Sequence, residues 1–173
     1  MLDAAWERFG VDGFHHVSVD QIAATAGVTR GAVYHHFESK EALFEEVFSE
    51  VEAELVTATA VAAHQPNAFD ALLHGCYAYI SMASQRQIGQ IVLIDAPAVL
   101  GTERYREIDE SCFLPSLVNV LKALRQHDSA SAISLLASAI FAAVCQLALI
   151  AHQHPQSSAD IGSTLQLLLG SLS

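Results

Sequence analysis

Apolar residues recur at helical spacing along almost the whole chain. The first such run is Leu2, Ala5, Trp6 and Phe9, which stand at positions i, i+3, i+4 and i+7. No segment alternates apolar and polar residues in the way that predicts a half-buried strand. The pattern therefore predicts an all-α protein.

Later runs predict further helices, whose ends are marked by Gly and Pro. A long amphipathic helix is predicted to begin at Lys40, because apolar positions there are interleaved with glutamates. Asp95-Ala96-Pro97 is predicted to break the helix before it, and Pro115 to kink or restart the helix that it interrupts. The predicted helices span about residues 40–64, 69–84, 86–94, 103–127, 132–151 and 159–172.

Two short helices between residues 18 and 36 are delimited by capping signals. Ser18 followed by Gln21 forms a capping box, so a helix begins there. Gly27 ends that helix, because glycine readily takes positive φ, and Thr29 caps the next one. The first of these helices carries a buried stripe of Val19, Ile22, Ala23 and Ala26. Two short helices joined by a Gly-containing turn form a helix-turn-helix, whose second helix enters the DNA major groove.

The composition fits a reduced, soluble protein with a small and a larger part. The 173 residues suffice for both, and 52% of them are apolar. The cysteines lie far apart in apolar runs, which predicts buried, reduced thiols rather than a disulfide framework: Cys76, Cys112 and Cys145. The first residues have neither a basic nor an apolar signal-peptide region, so a cytoplasmic location is predicted.

The charge of the chain argues against unspecific attraction to nucleic acid. The formal net charge is −11, and residues 1–50 hold three Lys and Arg against nine Asp and Glu. Because a DNA reader needs cationic contacts to phosphate, either such contacts are few and local here or a basic arm before the first helix supplies the rest. Backbone amides at helix N-termini are expected to supply part of them.

A segment without any charged residue extends from residue 129 to 159, and its middle is long enough to span a bilayer. Polar residues inside it and the absence of a flanking basic cluster favour a soluble helix instead. A small-residue stripe at four-residue spacing permits close helix packing: Ala130, Ser134, Ser138 and Ala142. We therefore predict a buried homodimer interface over about residues 129–172 rather than a membrane span.

Further landmarks surround the helix-turn-helix in a fixed order. An apolar first helix precedes it, Tyr34-His35-His36-Phe37 closes its second helix, and Ser39-Lys40-Glu41 opens the long helix. In this arrangement residues 1–48 resemble the DNA-binding domain of the tetracycline-repressor (TetR) family of transcriptional regulators. The landmarks that share one register are Gly13-Phe14, Ser18, Ile22-Ala23, Ala26-Gly27-Val28, Tyr34, Phe37 and Lys40.

The resemblance implies a three-helix helix-turn-helix DNA-binding domain over residues 1–48 and a helical effector-binding and dimerisation domain over residues 49–173. Family members are ligand-responsive homodimers, commonly repressors, that bind palindromic double-stranded DNA and dimerise through their last two long helices as a four-helix bundle. No cofactor is predicted for this chain. They also commonly carry a basic arm before the first helix, where this sequence begins.

Nine residues are predicted to contact DNA. Arg30 is the only cation on the second helix and can bind a guanine or a phosphate, while the small Gly31 and Ala32 permit close approach to the groove. In the resembling family the positions of Tyr34, His36 and Lys40 commonly bind phosphate, and that of His35 contacts bases. The full set is Ser18, Thr29, Arg30, Gly31, Ala32, Tyr34, His35, His36 and Lys40.

The resemblance also implies an effector pocket walled by the central helices. The predicted lining residues are Tyr77, Ile80, Ile91, Tyr105, Phe113, Phe141 and Arg86. Further polar anchors for a ligand are His74, Asp95 and Asp109. An apolar pocket with a few polar groups suits a hydrophobic or aromatic small molecule.

Neither an enzyme nor a metal site is predicted. The sequence holds no nucleophile elbow, phosphate-binding loop, zinc-protease helix or dinucleotide fingerprint, so no enzyme is predicted. The histidine pairs have no ligand partners at a closed metal-site spacing, so no metal site is predicted. The alternative that stays open is a dimeric small-molecule-binding module with weak or lost DNA binding, which the acidic first fifty residues favour.

Overall fold

The computed structural model describes residues 1–172, except for the side chains of Ser158 and Ser171, and it is helical without a strand over that range. The α-helices are α1 Leu2–Asp12, α2 Val19–Ala26, α3 Arg30–His36, α4 Lys40–Ala62, α5 Ala68–Ala83, α6 Arg86–Gly89, α7 Ala96–Val99, α8 Gly101–Leu124, α9 Ala130–Gln153 and α10 Ser158–Leu169. A π-helix, Gln90–Asp95, joins α6 to α7, and short 3-10 turns cover Phe14–His16, Pro155–Ser157 and Gly170–Leu172. The predicted all-α class is confirmed.

The head, residues 1–48, is built around three phenylalanine rings. Phe9 of α1, Phe14 of the 3-10 turn and Phe44 of α4 have ring centroids 5.2 to 5.6 Å apart. Phe9 and Phe44 are fully buried, and Phe14 is nearly so. Because these three rings meet, α1, the 3-10 turn and the start of α4 form one rigid support for α2 and α3.

The helix-turn-helix is delimited by the caps that the sequence predicts. The Ser18 hydroxyl accepts a hydrogen bond from the Gln21 amide at 3.3 Å, and the Gln21 side chain accepts one from the Ser18 amide at 2.7 Å. Gly27 has a left-handed φ of 67° at the end of α2. The Thr29 hydroxyl accepts from the Ala32 amide at 3.2 Å and so caps α3. These capping predictions are confirmed.

The body, residues 49–172, is joined to the head by α4 without a break. The buried face of α4 runs along its length and packs on the head at one end and on the body at the other: Leu43, Phe44, Val47, Phe48, Val51, Glu52 and Leu55. The predicted domain boundary after residue 48 therefore lies inside a single helix, and the division into two domains stays a prediction.

Helices α4, α5, α8 and α9 pack against one another in the body. Their centre holds a second trio of rings, Tyr79, Phe113 and Phe141, with centroids 4.9 to 5.6 Å apart. Within the described range, α9 is long and apolar enough to cross a membrane, with a mean hydropathy of 2.3 over its most apolar window. That is weak evidence, because the core helix of a soluble protein meets the same criterion.

The predicted break at Asp95-Ala96-Pro97 is wrong, and of the two alternatives predicted at Pro115, a kink or a restart, the restart is wrong. The chain does not leave the helical path at Asp95-Ala96-Pro97; it passes from the π-helix into α7, and Pro97 lies in the first turn of α7. Proline is tolerated there, because an amide in the first turn has no helical acceptor. Pro115 lies inside α8, which is one element and does not restart there.

A buried hydrogen bond joins the head to the π-helix of the body. The Asp95 carboxylate accepts from the Phe14 backbone amide at 2.8 Å. Asp95 is only 6% exposed, and Gly13 beside it has a left-handed φ of 80°, which favours glycine. The head therefore joins the body not only through α4 but also through this bond and through an ion pair between Glu45 of α4 and Arg104 of α8.

Candidate nucleic-acid interface and body cavity

Helix α3 turns one side into the head and most of its remaining side chains outward. Val33 is 1% exposed and anchors the helix on the head. The predicted DNA-contacting side chains on the other side are exposed, apart from the half-buried Ala32: Arg30, Gly31, Tyr34, His35 and His36. The caps Ser18 and Thr29 are also exposed, at the N-termini of α2 and α3. The local fold thus presents one groove-sized helix with a polar and aromatic face.

Arg30 forms an ion pair with an acidic residue of the preceding helix. Its guanidinium lies 2.7 Å from the Asp20 carboxylate, and it stands over the Tyr34 ring at 5.4 Å from the centroid. About 60% of each charged side chain is exposed. Because exposed ion pairs contribute little to stability, Asp20 can give up Arg30 to a phosphate or a base at small cost.

Lys40 is held by the head itself. Its ammonium donates to the Phe14 and Val17 carbonyls, both at 2.9 Å, and lies 3.9 Å from the centre of the Phe14 ring. These contacts stabilise the carbonyl end of the 3-10 turn, where a cation is favourable. A phosphate is therefore not needed to explain a lysine at the start of α4, and its role in DNA contact stays a prediction.

A shallow concavity brings four of the predicted DNA residues together. Ser18, Arg30, Tyr34 and Lys40 line it, with Ser39 between the last two along the chain. The Ser39 hydroxyl caps α4 by accepting from the Ala42 amide at 3.0 Å. Sequence reasoning did not assign Ser39 to the site, although the Ser-Lys-Glu start of α4 signals a cap.

Three carboxylates also line this concavity: Asp20, Glu38 and Glu41. The site thus combines two helix N-termini and two cations with acidic side chains. This local arrangement agrees with the acidic balance of the first fifty residues, and it suits a few defined phosphate contacts rather than a broad basic surface.

The body contains an apolar cavity between α4, α5, α8 and α9. Its atom-free volume is about 610 Å³, part of which is open to solvent. Exposed Ala60 of α4 and Ser116 of α8 lie at its border, which places the opening between these helices. Its lining is Val56, Thr59, Ala60, Ala63, Ala71, Leu72, Gly75, Cys76, Tyr79, Cys112, Phe113, Ser116, Leu117, Val120, Phe141 and Val144.

Two of the residues predicted to line an effector pocket, Phe113 and Phe141, border this cavity. Tyr77 instead donates to the Gly162 carbonyl at 2.9 Å and so ties α5 to α10, and Tyr105 packs on Phe48. The remaining three do not line it either: Ile80 and Ile91 are buried in the general core, and Arg86 lines a separate surface depression near Trp6.

Sequence reasoning missed Tyr79, whose ring is a wall of the cavity. Its spacing from Leu72 and Cys76 is helical, and all three lie on the same side of α5. The residues predicted instead, Tyr77 and Ile80, lie on a different side of this helix. Helical spacing counted from Leu72 would have identified Tyr79 from the sequence.

The proposed polar anchors have different surroundings. His74 is exposed and its ring contacts the Asp70 carbonyl, while Asp95 is bonded to the head. Asp109 is 3% exposed, and burial raises its pKa to about 7, although hydrogen bonds from Tyr105 and Cys145 act in the opposite direction and lower the pKa. Of the three anchors, Asp109 is therefore the one in the buried interior near the cavity wall.

Glu52 of α4 lies near Asp109 and is 0% exposed. Burial, together with the negative charge of Asp109, raises the pKa of Glu52 well above its ordinary value. Both Glu52 carboxylate oxygens and one Asp109 oxygen have no hydrogen-bond partner. In the described part of the chain no group of three or more His, Cys, Asp and Glu side chains is placed to hold a metal ion.

Two family models together match most of the chain. Residues 1–47 match bacterial regulatory proteins of the tetR family, and residues 69–172 match the tetracyclin repressor-like C-terminal domain. The second match alone covers more than half of the chain.

Curated relatives share the head with this chain. The HTH-type transcriptional regulator AcrR of Shigella flexneri is 46% identical over 48 residues, which are 28% of this chain and 22% of that protein. The regulator SrpR of Pseudomonas putida is 55% identical over 40 residues, which are 23% of this chain and 19% of that protein. The matched segment thus spans about a fifth of the length of these relatives.

Solved structures resemble the chain over nearly its whole length. A TetR-family transcriptional regulator from Pectobacterium atrosepticum has a TM-score of 0.82 at 29% identity, covering 99% of this chain and 91% of that one. The regulator FadR from Bacillus subtilis, in complex with stearoyl-CoA, has a TM-score of 0.79 at 19% identity, covering 97% and 95%. These relatives are transcriptional regulators, not enzymes. The chain belongs to the TetR family of bacterial regulatory proteins.

Proposed function

We propose that the chain is a homodimeric, ligand-responsive transcriptional regulator that binds palindromic DNA through α3. The observation that carries this proposal is the outward face of α3, where Arg30, Tyr34, His35 and His36 are exposed while Val33 fixes the helix to the head. Arginine can contact guanine, and the caps of α2 and α3 offer amides to phosphate. The DNA contacts named here stay proposals at the level of single residues.

The proposed dimer uses the exposed side of α9 and α10. Leu135, Leu167 and Leu168 are 71%, 83% and 52% exposed, which is unusual for leucines on two apolar helices. The small-residue stripe of α9 is exposed along its length and permits close approach of a second copy: Ala130, Ser134, Ser138 and Ala142. A twofold dimer would place the two α3 helices in major grooves about 34 Å apart.

The proposed effector site is the body cavity. Its apolar lining supports a hydrophobic ligand, and the structural neighbour FadR of Bacillus subtilis was solved with the long-chain ligand stearoyl-CoA. A ligand that spreads α4 from α8 would tilt the head, because α4 is continuous and Asp95 holds the Phe14 amide. Effector binding would then favour a head separation that no longer fits the operator, so repression with release by the effector is proposed.

Selection from randomised duplex DNA tests the proposal. The protein is incubated with the library, bound duplexes are enriched, and the mass of the resulting complex is measured. We expect a palindromic sequence to be enriched and two protomers to bind each duplex, with affinity that falls as salt increases. Enrichment of no sequence, with a stable dimer that binds small apolar molecules, would instead establish the second candidate.

That second candidate is a small-molecule-binding module without a DNA role. It is favoured by the excess of acidic over basic residues in the head. Within that head, Arg30 forms an ion pair with Asp20. The two candidates differ in the selection experiment but share the ligand cavity and the dimer.

A further inference from the structure

The buried carboxylates of Glu52 and Asp109 have no counter-charge around them. Glu52 is fully buried with two unpartnered oxygens, and Asp109 is 3% exposed with one. The ion pairs formed within residues 1–172 involve neither carboxylate. Without a counter-charge, burial favours the protonated form of both acids, whose pKa values are raised, and a cation that reaches them would favour the ionised form instead.

The pair lies directly behind one end of the cavity. Glu52 lies one helical turn before Val56, and Asp109 lies one turn before Cys112, and both of these following residues line the cavity. The Cys145 thiol connects Asp109 to the cavity wall, because its Sγ lies 3.9 Å from the Asp109 carboxylate and 3.5 Å from the hydroxyl of Tyr79, another lining residue. The two carboxylates therefore act on the cavity wall from the side nearest the head.

The same end of the cavity is aromatic. Tyr79, Phe113 and Phe141 pack together there, with Phe113 and Phe141 stacked at 5.4 Å. Aromatic faces attract organic cations within about 6 Å, and they do not attract carboxylates in this way. The described residues offer no cluster of three ligands for a metal ion, so this end of the cavity suits an organic cation better than a metal ion.

We infer that the effector is an amphipathic organic cation, whose apolar part fills the cavity and whose protonated amine or ammonium group points to Glu52 and Asp109. The inference rests on the proposed function in one respect, that the cavity holds the effector. It adds the chemical class and the orientation: the charged group lies at the end near Cys112, and the apolar part extends toward the opening between Ala60 and Ser116. Anionic lipids of the same length are expected to bind poorly in this orientation, because their carboxylate would be buried without a counter-charge beside two further acids.

Calorimetric titration with three eight-carbon probes tests the inference. Octylamine, octanol and octanoate share their apolar part and differ in charge, so their relative affinities at pH 7 measure charge recognition alone. We expect octylamine to bind at least about tenfold more tightly than octanol, in line with a charge-assisted contact, and octanoate to bind most weakly. Equal affinity for octylamine and octanol, or a preference for octanoate, would overturn the inference.

Matched variants locate the charge. In Glu52→Gln the preference for octylamine over octanol is expected to fall to about threefold or less, with octanol affinity unchanged. Glu54→Gln is the control, because Glu54 lies on the same helix and is exposed. If the preference survives in the double variant Glu52→Gln with Asp109→Asn, the carboxylates do not recognise the amine and the inference fails.

The outcomes also separate this inference from the proposed function. Binding of octanol without a preference for octylamine would keep the cavity as a ligand site and contradict only the cationic class. Binding of none of the three probes, with no change in thermal stability, would contradict both the ligand site and the inference. Selection of an operator is independent of all these results.

Discussion

The head and the body are each built around three aromatic rings, but the two trios differ in what lies beside them. Phe9, Phe14 and Phe44 of the head join α1, the 3-10 turn and α4 in a packed centre. The trio of the body, Tyr79, Phe113 and Phe141, lines a cavity. The head is therefore suited to keep one shape, while the body has room to change when a ligand enters.

Buried polar atoms without a hydrogen-bond partner occur in both parts, but Arg8 and Asp12 of the head form an ion pair with each other, whereas Glu52 and Asp109 of the body form none. In the head, the Lys40 ammonium reaches two carbonyls, and the Phe14 amide is bonded to Asp95. In the body, Glu52 and Asp109 leave three oxygens unpartnered next to the cavity. A rigid DNA-binding head joined to a body whose conformation depends on a ligand suits a sensor of small molecules, because only the body has to change its conformation when the ligand binds.

The largest expected effect compares the two trios directly. Phe44→Ala should reduce the free energy of unfolding by about 3–5 kcal/mol, because it opens a new void in a packed centre. Phe113→Ala should cost at least about 1 kcal/mol less, since its ring already faces empty space and forfeits fewer contacts. Urea unfolding of both variants measures the two losses. Equal losses would contradict the distinction between a packed head and a hollow body.

The next effect concerns the pH dependence of the body. The pKa of Asp109 is raised to about 7 in the folded state from 3.8, so the folded protein keeps a proton that the unfolded chain releases between about pH 4 and 7. The free energy of unfolding should therefore fall with rising pH in this window, by about 3 kcal/mol for a shift of this size. Glu52, whose pKa is also raised, acts in the same direction.

Asp109→Asn removes this proton and should flatten the decline, as followed by urea unfolding at several pH values. Glu54→Gln, an exposed change on α4, should leave the slope as in the wild type. A slope that is unchanged in Asp109→Asn would place the titrating group elsewhere.

The third prediction asks whether the body controls the head through dimerisation. Leu167→Glu puts a charge on the exposed side of α10 and should separate the protomers, which weakens operator binding by about 100-fold because two linked heads bind more tightly than one. Val61→Glu is the control, since Val61 is 73% exposed on α4, away from α9 and α10. Sedimentation and operator titration follow both variants. If the Leu167→Glu protein is still dimeric, the dimer interface lies on a different surface from the one proposed.

The smallest of these effects concerns the hydrogen bond between the Asp95 carboxylate of the body and the Phe14 amide of the head. Asp95→Ala leaves the buried Phe14 amide without an acceptor and should cost about 1–3 kcal/mol of stability. If the link also transmits the effector signal, a ligand that releases wild-type protein from its operator should release this variant less. Full release from a stably folded variant would mean that this bond does not carry the signal.

The head was predictable from sequence because its determinants are local. Ser18, Gly27 and Thr29 act on residues within four positions along the chain, and each takes the predicted conformation or bond. Lys40 shows the limit of this reasoning. Its partners Phe14 and Val17 lie more than twenty residues away, so its structural role could not be read from the pattern around it.

The cavity was less predictable because its wall is made of four helices whose rotation about their axes depends on packing. Helical spacing identified α5, yet Tyr77 points to α10 and Tyr79 to the cavity. The acidic pair was unpredictable for the same reason, since in the sequence Glu52 is one of many glutamates on α4. Only the packing of α4 against α8 shows that it is buried.

The most direct test of the account is operator affinity of three proteins over one salt series. Arg30→Ala should weaken binding about 10- to 100-fold, as expected for loss of an arginine contact to a base or phosphate. Asp20→Asn should strengthen it, because it frees Arg30 and removes a negative charge from the DNA-facing surface. Arg106→Ala, an exposed arginine paired with Glu110 on α8, should bind as the wild type does. Equal affinity of Arg30→Ala and wild type, or an equal loss in Arg106→Ala, would contradict a head that reads DNA through α3.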